Sequence, residues 1–167
     1  DAATGTAYVV AAKGVNSIVV VPASNYSLEP KHVAEAEKFF STADLILIQL
    51  EIPMDVVEYT AQLVKNNGNK MGIYASPAKP LSAEIIENSS FIVAKSNELS
   101  IIFGDEPRES ILRKYPNKLF VRDDTNSTTY FNGTDDCVKF GNDVSLKVTK
   151  NRGSQSGLPY LKDILEG

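Results

Sequence analysis

Short unbroken apolar runs alternate along this chain with segments whose apolar positions recur at helical spacing. The run Asp44-Leu-Ile-Leu-Ile48, continuing to Leu50, reads as a fully buried strand of a parallel sheet, because strands covered on both faces lose their polar alternation. Val56, Val57, Thr60, Ala61 and Val64 then repeat every three or four residues and stop at Asn66-Asn67-Gly68, which predicts a helix from about 54 to 66. A strand at 70–75 comes next, ended by Pro77 and Pro80. After it come a short helix from Leu81 through Glu87, a buried strand at 91–94 and a helix from Ser96 through Phe103 that stops at Gly104. A helix at 109–113 and a strand at 118–121 complete the series. Strand and helix in alternation predict right-handed βαβ crossovers onto a mainly parallel sheet.

The flanks read differently. Thr6–Ala12 and Ser17–Val21 surround Lys13-Gly14-Val15-Asn16, the mark of a hairpin that would project as an antiparallel flap. Pro22 to Pro30 reads as a loop, and 31–41 as one helix with Val33, Ala36, Phe39 and Phe40 on its apolar face. Residues 128–131 and 137–140, joined through Asn132-Gly133, form a second hairpin. The polar stretch 151–157 is turn-prone, and 158–165 has the spacing of an amphipathic helix. The organisation expected is one α/β domain over 1–150, with a connector and terminal helix over 151–167.

Composition narrows the classes of function. The 167 residues carry a net charge of -4, which gives no electrostatic reason to expect nucleic acid or an anionic membrane as partner. No apolar run approaches the roughly 20 residues needed to span a bilayer. Asp1-Ala-Ala-Thr-Gly5 lacks the basic and apolar parts of a signal peptide, so a cytoplasmic location is expected. Cys137 is the only cysteine and His32 the only histidine, which excludes a disulfide framework and Cys/His zinc clusters. Four N-x-Ser/Thr sequons, at Asn25, Asn88, Asn126 and Asn132, are read as chance in an Asn- and Ser-rich chain.

The candidate chemistry centres on Gln49-Leu-Glu-Ile-Pro53. Glu51 falls at the carboxyl end of a strand and before a helix, where open α/β sheets place their ligands. A carboxylate there is costly to desolvate unless something binds it or water reaches it. Thr4-Gly-Thr-Ala-Tyr8, Pro22-Ala-Ser-Asn25, Ala43-Asp44, Gln49-Leu-Glu-Ile-Pro53 and Ser76-Pro77-Ala78, in this order and spacing, resemble the ribokinase (PfkB) family of sugar kinases over its middle portion.

That resemblance implies a three-layer, Rossmann-like α/β fold with an antiparallel β flap, a small sugar as ligand, and ATP with Mg²⁺ as cofactors. A homodimer formed through the flap is a further expectation for this chain. Glu51 matches the family acid that bonds sugar hydroxyls, a role suited to a carboxylate acceptor, and Asn25 matches the Asn of a Gly-Ala-Asn segment. The alternatives are a solvated strand-end acid and an ordinary turn Asn. The family's N-x-x-E motif, which organises metal and phosphate, falls at Lys95-Ser-Asn-Glu98. Glu98 is therefore the candidate metal ligand, and Lys95 with Glu98 the candidate phosphate site. Lysine can meet a phosphate as a point charge but cannot accept from a metal-bound water. Asn97 would stand in only if the loop shifted by two residues. Capping by Ser96, with Glu98 near a helix N-terminus, explains Glu98 equally well.

Two further motifs depart from the family. Its Gly-Ser-x-Gly nucleotide turn aligns with Asp123-Asp124-Thr125-Asn126, where side chains replace glycines and two carboxylates would repel a polyphosphate. Those acids read either as oxygen ligands for a divalent cation or as a solvated turn. No Gly-Ala-Gly-Asp segment, the family's source of anion hole and general base, occurs in this sequence. No catalytic residue is assigned. Three readings remain: a degraded kinase scaffold used for binding or assembly, a kinase completed by segments outside this chain, or an unrelated α/β protein with a ligand at the same sheet edge.

Overall fold

The computed structural model describes residues 2–12, 15–123, 127–134 and 137–141. The fold is three-layer α/β with a separate two-stranded flap. In the flap, β1 (Thr6–Ala12) pairs antiparallel with β2 (Val15–Val21), in a register running from Thr6 opposite Val21 to Ala12 opposite Val15. Apolar residues point to both faces, and Tyr8, Val9, Val10, Ile18, Val19 and Val20 are all more than half exposed. A 3-10 turn at Ala23–Ser27 occupies the segment read as a loop.

The helix expected at 31–41 divides at Ala36 into α1 (Pro30–Glu35) and α2 (Glu37–Phe40). Glu29 caps α1 reciprocally: its side chain accepts from the His32 N–H, while its own N–H donates to His32 Nδ1 at 3.0 Å. The sole histidine is thus committed to a cap. Neither helix fully buries a residue; of the predicted face, Val33, Ala36 and Phe40 are half-buried and Phe39 is exposed. Asn69 fastens the end of α2, its amide donating to the carbonyls of Phe40 and Ala43.

The main elements are β3 (Ile46–Gln49), α3 (Met54–Asn67), β4 (Met71–Tyr74), α4 (Ala83–Asn88), β5 (Phe91–Lys95), α5 (Leu99–Phe103), α6 (Arg108–Lys114), β6 (Leu119–Arg122), β7 (Ser127–Phe131) and β8 (Cys137–Gly141). Strand order in the sheet is β3-β4-β5-β6-β7-β8. β3 and β4 are parallel, Ile46 opposite Met71 through Gln49 opposite Tyr74, whereas β6–β7 and β7–β8 are antiparallel. The chain divides into two compact units, 1–92 and 93–167, with the division inside β5. No described helix is long and apolar enough to cross a membrane. The connector and helix expected at 151–167 lie outside the described residues.

In the first unit α3 presents Val56, Val57, Ala61 and Val64 to a core shared with Met71, Ile73, Ile85 and Ile86, all buried. Each such side chain contributes roughly 1.5–3 kcal/mol. Gly68, at φ 71°, ends α3 in the left-handed region that glycine enters without strain. Gly72 lies under the ring of Phe91, which leaves no room for a Cβ. The second unit has its own core of Leu99, Ile102, Ile111, Leu112, Leu119 and Val121.

One expectation about the sheet is corrected. The 44–50 run is not buried on both faces: β3 is an edge strand. Ile48 and Leu50 are buried, but Leu45 is 40% and Leu47 68% exposed. An unbroken apolar run asks for cover on both faces, and only one face is covered among the described residues.

Candidate functional site

Glu51 is the second residue after β3, and its backbone is held on both sides by the loop after β4. The Leu50 N–H donates to the Ser76 carbonyl at 3.1 Å, and Lys79 Nζ donates to the Ile52 carbonyl at 3.0 Å. The Glu51 carboxylate itself is exposed and has no hydrogen-bond or ion-pair partner among the described residues. It borders two cavities of about 180 and 580 Å³ that share Ala7, Val20, Pro22 and Asn25 as walls. The larger falls within the range of small-molecule sites. Its walls combine Val9, Ile18 and Val20 of the flap with Tyr26, Ser76 and Pro77.

Asn25 reaches this crevice from the 3-10 turn after the flap. That turn is pinned by Ser24 N–H to the Ala3 carbonyl and Asn25 N–H to the Pro22 carbonyl, both at 3.0 Å. The close approach depends on Gly5, where a Cβ would stand 2.9 Å from the Pro22 carbonyl and 3.5 Å from Asn25 Oδ1. Ala23 sits at φ 45°, a conformation that costs a non-glycine residue on the order of 1–2 kcal/mol and tends to occur beside binding sites. Glu51 and Asn25 are therefore brought to one crevice, with Thr4 and Gly5 beside them. Such a site offers acceptors for hydroxyl groups and apolar walls for a carbon skeleton.

The residues of the second unit are arranged otherwise. Lys95 Nζ lies 3.3 Å from Glu98 Oε1, an ion pair within one turn. Glu98 Oε2 is buried without a hydrogen-bond partner. Ser96 is not the cap: the 3-10 turn Ser96–Glu98 has Lys95 at its N-cap, and the Ser96 hydroxyl accepts from Arg108 Nη1 at 3.3 Å. Asn97 is exposed.

Asp123 is neither solvated nor free for a cation. Arg108 grips it with two nitrogens, Nη1 to Oδ1 at 2.7 Å and Nη2 to Oδ2 at 3.2 Å, and the hydroxyls of Ser127 and Thr129 donate to Oδ2. The hydrogen bonds from Arg108 are the main cause holding its carboxyl below the usual range; partial burial opposes them, and the guanidinium charge and the two hydroxyls assist. A charge so compensated repels a neighbouring anion far less than a bare one. Asp124, Thr125 and Asn126 lie outside the described residues.

Among the described residues no group of three or more His, Cys, Asp or Glu is placed to hold a metal ion. Glu98 carries Lys95 on one oxygen and keeps the other unpartnered; Mg²⁺ characteristically takes one or two carboxylates together with waters and substrate phosphates, which would have to supply the remaining ligands here. The sequon at Asn88 has its amide nitrogen buried, which leaves no room for attachment there. Lys79, Tyr26 and Arg108 carried no sequence signal, because each acts through contacts with residues distant along the chain.

Comparison with known proteins bears on the family and the fold. A Bacillus subtilis protein named ribokinase is 31% identical over 164 residues, which is 98% of this chain and 56% of that protein. The chain is ribokinase-like. A Haemophilus influenzae ribokinase is 36% identical over 104 residues, 62% of this chain and 34% of that one. An Arabidopsis thaliana ribokinase, solved in complex with ribose and ATP, superposes with a TM-score of 0.77 at 16% identity over 99% of this chain and 69% of its own; this likeness speaks to the fold. The ribokinase-like chain thus spans little more than half the length of the first of these relatives and about a third of the second. No protein-family profile matches it.

Proposed function

We propose that this ribokinase-like chain is a polyol-binding module, and that by itself it does not move phosphate from ATP. The observation that carries the reading is the convergence of Asn25 and an uncommitted Glu51 carboxylate on one crevice. Ribose is the first ligand to try, because the relatives are named ribokinase and deoxyribokinase and the Arabidopsis structure holds ribose. Against phosphoryl transfer stand Lys95 in place of an Asn and its pairing with Glu98. Lysine cannot accept from a metal-bound water as that Asn would, and its ion pair occupies one of the Glu98 oxygens that a cation would need.

A thermal-shift series tests both halves. A ligand at 100 times its dissociation constant adds about 2.7 kcal/mol of stability. Ribose or another pentose is expected to raise the melting temperature, ATP-Mg and ADP to leave it unchanged, and a coupled ADP-release assay to read like buffer. A turnover near ~1 per second, well inside the ordinary range for enzymes, would overturn the non-catalytic reading.

A second reading has its own support: a sugar kinase completed by segments outside this chain. The open edge of β3, with Leu45 and Leu47 uncovered, is a surface on which a further strand and its layer would pack. The flap supports a homodimer in the same way, through its exposed valines. Light scattering at twice the chain mass, reduced to one by Val9→Asp and Val19→Asp, is the outcome expected for a flap dimer.

A further inference from the structure

We infer that Lys79 is a positioning residue for the crevice, clamping the element that carries Glu51 to the one that carries Asn25. The inference rests on the polyol-binding reading for its function, though not for its geometry. Lys79 Nζ donates to the carbonyl of Ile52, the residue after Glu51, at 3.0 Å. The same ammonium lies 5.6 Å from the ring centroid of Tyr26, the residue after Asn25. One cation therefore joins the residue next to each candidate ligand-binding side chain.

The two contacts divide the work. The Glu51 backbone is fixed before it by the Leu50–Ser76 hydrogen bond and after it by the Lys79 bond to Ile52. Without the ammonium, the Ile52 carbonyl loses its partner, and the turn from β3 into α3 is held by Pro53 and the start of α3 alone. On the other side, Tyr26 is more than half exposed and the 3-10 turn buries no residue, so packing holds it weakly. A half-buried ammonium over an aromatic face supplies attraction where apolar burial is lacking. Preorganising both walls lowers the ordering cost that a small ligand would otherwise meet on binding.

The experiment compares the intact chain with Lys79→Met and Lys79→Arg, using D-ribose as probe and backbone hydrogen exchange as a second readout. Lys79→Met is expected to bind ribose at least tenfold more weakly. In the unliganded protein it should exchange faster at residues 23–28 and 50–54, with α3 and β4 unchanged. Arginine, which can also donate to a carbonyl and lie over a ring, is expected to restore most of both. Unchanged exchange at the two segments would overturn the inference. So would faster exchange throughout α3 and β4, which would make Lys79 a general stabiliser of the unit. If the parent chain binds no ribose, the polyol reading fails by itself, and the exchange result still decides whether Lys79 clamps the two elements.

Discussion

Glu51 and Asp123 both stand just beyond the end of a strand, yet the chain treats the two acids in opposite ways. Asp123 is wrapped by Arg108, Ser127 and Thr129 and has no oxygen left over. Glu51 has a backbone fixed on both sides and a side chain with no partner among the described residues. An acid whose own chain satisfies it is committed to structure, because a ligand would first have to break those bonds. An acid held in place but left unsatisfied is available to a ligand. The difference lies in what faces each acid, and it leaves Glu51, unlike Asp123, open to a ligand.

The comparison breaks most readily through stability. Asp123→Ala removes a two-point charged contact and leaves the part-exposed Arg108 guanidinium with Ser96 and solvent, so a loss of about 2–3 kcal/mol is expected. In a chain of this size that is roughly 4–12 °C in melting temperature. A loss below about 0.5 kcal/mol, the ordinary range for a surface substitution, would return Asp123 to a solvated turn.

The same contact predicts a pH dependence of fixed sign. Arg108, chiefly by hydrogen bonding, lowers the Asp123 carboxyl in the folded chain below its ordinary value of 3.8. The folded state therefore binds this proton less readily than the unfolded state. The resulting stability is present above about pH 4 and disappears as pH falls through the lowered folded value. Asp123→Asn should be less stable than the parent at neutral pH and show a flatter decline below pH 4. Parallel acid limbs for the two proteins, measured by denaturant unfolding at several pH values, would contradict the assignment.

How far these roles could be read in advance depends on the range of the interactions. Strands 70–75, 91–94 and 118–121 were legible within a residue or two, because an apolar run between turn residues reports burial locally. The run at 44–50 reports it too, but its surroundings are not local: β3 occupies an edge, and Leu47 lacks the cover its neighbours imply. Glu51 and Asn25 were legible as candidates through position and resemblance, while their meeting in one crevice depends on Gly5 and the pinned turn at 23–27. Arg108 was invisible because nothing near it in sequence indicates that it will meet an acid 15 residues away.

Lys95→Asn makes a smaller test. Its pair with Glu98 is about half exposed on the lysine side, and exposed pairs contribute roughly 0–1 kcal/mol. The variant should lose less than about 1 kcal/mol, and the loss should vanish near 1 M salt, where charges are screened beyond about 3 Å. A loss of more than about 2 kcal/mol that persists in salt would place Glu98 with Asp123, as an acid that its own unit cannot leave unpaired.

The smallest expected effect on stability is the most informative about function. Glu51→Gln exchanges a carboxylate for an amide of the same shape at a position where the side chain touches no protein donor among the described residues. Folding should therefore change by less than about 0.5 kcal/mol. The amide keeps one acceptor oxygen but loses the charge, and charge-assisted hydrogen bonds are roughly twice as strong as neutral ones. Ribose should consequently give the variant a much smaller thermal shift than it gives the parent, while the unliganded melting temperatures coincide. If Glu51→Gln lowers the unliganded melting temperature by as much as Asp123→Ala does, Glu51 is also a structural acid and the contrast between the two strand ends fails. If the unliganded proteins match and ribose shifts both equally, the backbone around Glu51 holds the ligand and its carboxylate does not.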